Sequence, residues 1–225
     1  MALPLPLRNH LAELILAAFR EPEARAVLDR LGRYCGEAGS GGRVADFPAS
    51  FPMEFFDRRE GRLVLKGTYR RFRDELCDRA GRACAVVRER SLSERNPSLR
   101  EVLGEAAALF DARLHFEVHE LLEPCWLRAE RGEREILQGL IKVAVGYHHL
   151  ATGNVSGARM LLKEGSDKLV ARSLAGLDVG AFALGVRRSL EAVERLATQA
   201  PGAFDWSLMP RFPRESTRGT RPAPQ

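Results

Sequence analysis

Residues Phe110 to Asn154 constrain this 225-residue chain more than any other stretch. At about 100° per residue, FDARLHFEVHELLEPCWLRAERGEREILQGLIKVAVGYHHLATGN reads as two helical segments joined by a short loop near Gly132. In the first, Leu114, Val118, Leu121, Leu122, Cys125 and Trp126 share one arc, while His119 and Glu123 lie one turn apart at its border. Glu120 stands a fraction of a turn round and Glu117 beyond it. The second, Ile136 to Leu150, is apolar nearly all round, its polar exceptions being Gln138, Lys142, His148 and His149. A helix so coated buries most of its circumference. The fold class predicted is all-α, a helical bundle.

Four of the five histidines fall in this stretch, and their spacing carries the chemistry. If the two helices pack antiparallel, an inward histidine near the end of the second can meet the edge bearing His119. His119, Glu123 and either His148 or His149 then form a nitrogen and oxygen ligand set for a divalent ion, zinc or another first-row metal, with positions left for water. Glu120 stands ready as general base toward that water. The string HExxE differs from the zinc-protease HExxH in its last residue, so the second imidazole must come from elsewhere. Gln138, Asn154, Trp126 and Glu117 are candidates for orienting substrate or supporting the ligands. Against this stands a plain structural alternative, in which the histidine and carboxylates only satisfy one another.

The same residues carry a resemblance. Phe110, Phe116, His119 with Glu120 and Glu123, Trp126, the LQGLI run from Leu137 to Ile141, His149, Gly153 with Asn154 and Gly157 with Ala158 follow in order. This pattern resembles the domain of unknown function 309 family of small helical bacterial proteins, over roughly residues 98–196. The resemblance implies an all-helical bundle and, through HExxE, a metal-dependent activity. It favours His149 for the second imidazole, whereas helical phase favours His148. Asp111 stands where that family usually has asparagine. Pro124 falls inside the first helix, where it removes one backbone hydrogen bond and is expected to kink or end the segment, freeing the Glu120 carbonyl.

Around this core the chain is more basic. The net charge is +5, with 18 basic against 14 acidic residues in 1–95, 13 against 14 in 96–199, and 4 against 2 in 200–225. Three regions follow: a mainly helical N-terminal extension (1–95), the bundle (96–199) and a Pro/Arg-rich tail (200–225), loose beyond residue 214 but with Trp206 and Phe212 able to dock. In the extension, helices are expected over Arg8–Arg20, Glu21–Gly36 (opened by Pro22) and Thr68–Arg90. A glycine cluster from Gly36 to Gly42 and a Pro/Phe-rich loop follow the second of these, and a short hairpin turns at Glu60 and Gly61. Arg70, Arg71, Arg73, Arg79, Arg82, Arg88 and Arg90 coat the last helix, diluted by Asp74, Glu75, Asp78 and Glu89, which reads as a solvated charged face rather than a nucleic-acid footprint. Cys35, Cys77, Cys84 and Cys125 are scattered, and the sequence predicts reduced thiols in a cytoplasmic protein. No leader, membrane span, phosphate loop or GxSxG elbow is read. The expected function is a metal-dependent hydrolase acting on a small-molecule substrate, with self-association as a further expectation. The alternative is a non-catalytic helical binding or scaffolding module.

Overall fold

The computed structural model describes residues 2–36, 53–60, 62–196 and 204–214. Most of the glycine cluster, the start of the Pro/Phe-rich loop and the tail beyond residue 214 lie outside them. Among the described residues the chain is all-helical apart from two small antiparallel hairpins. Helix α1 (Leu5–Ala17) begins with proline in its first turn, where the missing N–H costs nothing. Helix α2 (Pro22–Gly36) buries Ala24, Val27, Leu28, Leu31 and Tyr34, a repeat of three and four residues that lays one face on the core. Strands β1 (Phe56–Arg59) and β2 (Arg62–Leu65) pair as predicted, with Arg59 opposite Arg62 and Glu60 at φ 50° in the turn. Leu63 and Leu65 point into the core, and the Leu65 amide donates to the Tyr34 hydroxyl at 3.1 Å.

Helix α3 (Arg73–Arg88) starts later than Thr68 because a 3-10 turn, Arg70–Phe72, precedes it. It corrects two expectations. Its arginine coat is not simply solvated: Arg79 is only 5% exposed, Arg82 donates to the Ala112 and Arg113 carbonyls, and Arg90 donates to the Gly104 carbonyl. Cys77 is bonded to Cys35, with the Cα atoms 5.1 Å apart, so the prediction of reduced thiols fails for this pair. The two residues are 42 apart in sequence, and it is the packing of α2 on α3 that brings them together. Cys84 is a buried thiol whose Sγ lies 3.3 Å from the Leu28 carbonyl.

The bundle follows as α4 (Leu99–Asp111), α5 (His115–Arg128), α6 (Arg131–Ala151), α7 (Val155–Leu169) and α8 (Val179–Arg195). Ser98 and Glu101 close a reciprocal capping box on α4. Between α7 and α8 lies a pair of two-residue strands, β3 (Ser173–Leu174) and β4 (Leu177–Asp178), unforeseen in the sequence and turned by Ala175 and Gly176 at φ 49° and 80°. Helices α6 and α7 approach closely along glycines. A Cβ on Gly165 would stand 2.9 Å from the Gly139 carbonyl oxygen, and one on Gly146 would stand 2.9 Å from the Leu162 side chain.

Phe110 anchors the centre, with the rings of His115, Tyr147, Phe182 and Phe212 at 5.1–5.6 Å. The tail therefore docks through Phe212, and Asp111 holds it by accepting from the Phe212 amide and pairing with Arg211 and Arg214. A carboxylate at position 111 thus pairs with two cations that an asparagine would leave unneutralised. Among the described residues no helix is long and apolar enough to cross a membrane.

Candidate metal centre and the adjoining cavity

Helix α5 presents two polar faces. Its outer edge carries His119, Glu120 and Glu123, all half-buried, with one ligand atom from each lying within 4.8 Å of the others. His119 Nδ1 sits 3.0 Å from Glu120 Oε1. One imidazole and two carboxylates from a single helical turn suit a first-row divalent ion, and their partial exposure leaves water access. Pro124 does not end the helix, which continues to Arg128. Since proline has no N–H, the Glu120 carbonyl still lacks its usual partner on the edge.

Neither histidine of α6 belongs to this group. The reason is arithmetic. Only Ala129 and Glu130 separate α5 from α6, so in an antiparallel hairpin His119 stands level with about residue 140, and His148 lies about two turns past it. His148 instead meets Phe116, ring to ring at 5.7 Å, and Phe116 also stands 6.1 Å from His119. His149 turns to the next helix. Its Nδ1 lies 2.9 Å from Asn154 Nδ2, while Asn154 Oδ1 caps α7 by accepting from the Gly157 amide. Gly153, at φ 89°, ends α6.

The remaining candidates scatter. Glu117 is fully buried on the inner face of α5, where it pairs with Arg79 of α3. Trp126 packs half-buried on the core beneath the Arg134 guanidinium, 4.9 Å from its ring. Gln138 is half-buried one helix away.

On the inner side of Phe116 lies a cavity of about 610 Å³ that sequence reasoning missed. Arg79, Arg82, Arg113, His115, His148 and Trp206 line it, together with the carboxylates of Glu75, Asp78 and Asp111. His115 is 2% exposed, stacked under Trp206 at 6.1 Å, with Nε2 3.3 Å from Met209 Sδ. Burial first, then His148 and the Arg82, Arg113 and Arg79 guanidiniums, hold its pKa well below the usual imidazole value. His148 is held down to about 4, again by burial first and then by Arg79 and Arg8. Both rings are therefore neutral at pH 7. The local clues are His115 at the start of α5 and the inward helical phase of His148; the arginines and Trp206 come from far along the chain.

Fold and site together define an all-helical bundle with a His/Glu cluster on its central hairpin. Residues 103–161, roughly a quarter of the chain, match the model of the family described as Domain of unknown function (DUF309). The resemblance read from HExxE, LQGLI and the GN pair is thus found, over a shorter span than 98–196. No match is found among curated proteins or among solved structures.

Proposed function

We propose that the outer edge of α5 binds a divalent first-row metal ion through His119, Glu120 and Glu123, and that the protein is a metal-dependent hydrolase of a small-molecule substrate. The observation that carries this reading is the convergence of three ligand atoms of the right types within 4.8 Å on a half-exposed helix edge. Such an ion supplies an activated water near neutral pH. The chain's own part is to hold and to shuttle protons. His119 keeps Nε2 for the ion while its Nδ1 faces Glu120. Glu120 has a second carboxylate oxygen with which to take a proton. Trp126 and the rest of the α5 core face fix the helix against the bundle.

A second reading has its own support. Because His119 Nδ1 already lies 3.0 Å from Glu120, that pair is satisfied without an ion, which suits a non-catalytic binding module. Metal content after purification without added metal separates the two. The enzyme reading expects about one ion per chain, lost in His119→Ala, together with hydrolysis of activated esters or phosphoesters that chelation removes. Negligible metal in both proteins sinks it.

A further inference from the structure

The cavity on the inner side of Phe116 is a second candidate site, separate from the HExxE edge. Its volume, about 610 Å³, falls in the range of small-molecule sites, and its charges are unevenly spent. Glu117 neutralises Arg79. Arg82 pairs with Asp78 and donates to two carbonyls, yet its Nε is buried without a partner. On the acidic side Asp78 is taken by Arg82, and Asp111 by Arg211 and Arg214. Glu75 is the acid of the wall left without an ion pair among the described residues.

Arg113 is different. Its guanidinium lies 5.3 Å from the centre of the Trp206 ring, it is exposed, and among the described residues no carboxylate pairs with it. Beside it stand two neutral imidazoles whose charged neighbours are cationic: Arg79, Arg82 and Arg113 around His115, and Arg79 and Arg8 around His148. A pocket floor surrounded by guanidiniums, with N–H donors and one uncommitted fork, favours an oxyanion.

We propose that this cavity binds a small organic molecule through a phosphate or carboxylate group, held by Arg113 with His148 and His115 at the floor. The site draws on α3, α5, α6 and the docked tail, so it exists only in the assembled fold. It does not depend on the metal reading.

The test uses the full chain, with inorganic phosphate and adenosine 5′-monophosphate as probes and adenosine as the neutral control. Binding is followed by calorimetry and by the imidazole C–H signals of His115 and His148 in NMR. The expected result is saturable binding of both anions, with shifts at the two imidazoles and no comparable binding of adenosine. Arg113→Gln should weaken it about tenfold, the loss of one charge-assisted contact. His119→Ala should leave it within about twofold, which separates this site from the metal edge. Gln at position 113 replaces an exposed side chain, and His148→Gln serves as an independent second variant. No saturable shift at either imidazole, equal binding of adenosine, or unchanged affinity in Arg113→Gln overturns the proposal.

Discussion

Glu117 and Glu120 are three residues apart on one helix, yet they live in different physical regimes. Glu117 is fully buried and depends on Arg79, a side chain 38 positions away on another helix. Glu120 is about one-third exposed and meets its immediate neighbour His119. The inner face of α5 is thus built from long-range pairs that must assemble together, and the outer edge from residues that meet wherever the helix forms. Arg20 repeats the inner-face pattern, reaching from the end of α1 to Glu105 of α4, which is 1% exposed. In both cases the extension supplies a cation to a carboxylate buried in the bundle. The difference teaches that stability and the proposed metal chemistry fall to different carboxylates of one short helix.

The largest test breaks the inner face. Arg79→Ala leaves the Glu117 charge buried and unpaired and should destabilise the protein by about 3–5 kcal/mol, lowering Tm by roughly 10 °C. The double replacement Arg79→Met with Glu117→Leu removes both charges and should recover most of that loss in chemical denaturation. If Arg79→Ala alone melts like the parent, the contrast between the two faces collapses.

Acid gives a smaller effect, at the cavity beside that face. His148 has its folded pKa near 4, below the ordinary value near 6.5, so the unfolded chain binds the extra proton first. Stability is therefore full above about pH 6.5 and falls as the pH drops toward 4, by roughly 2–3 kcal/mol from this group. His148→Gln should flatten that part of a denaturation series run from pH 7 to pH 4.

The outer edge should barely respond. Glu120→Gln and His119→Ala remove a half-exposed local pair and should change stability by about 0.5 kcal/mol or less, while the proposed metal binding should be lost in His119→Ala. A cost of several kcal/mol there would show that the edge is a packing element after all.

What was legible in the sequence follows the same division. The opening of α2 by Pro22, the turn at Glu60 and the spacing of His119 with Glu123 are set within a few residues, where helix and turn geometry are fixed. The pairing of Arg79 with Glu117, the bond between Cys35 and Cys77 and the stacking of Trp206 on His115 join residues 38, 42 and 91 apart, and no local periodicity encodes them. The separation of His148 from His119 falls between these cases. Its cause is the offset of an antiparallel hairpin, which the loop length alone determines.

The glycine seam between α6 and α7 reaches further than its own contacts. Gly139 and Gly146, two turns apart, let α6 settle at one roll angle about its axis, because any side chain there would strike α7. Turned by one residue's increment, the helix would bring His149 toward the cavity and carry His148 away from it. The absence of two methyl groups thus selects which of His148 and His149 looks onto the arginines.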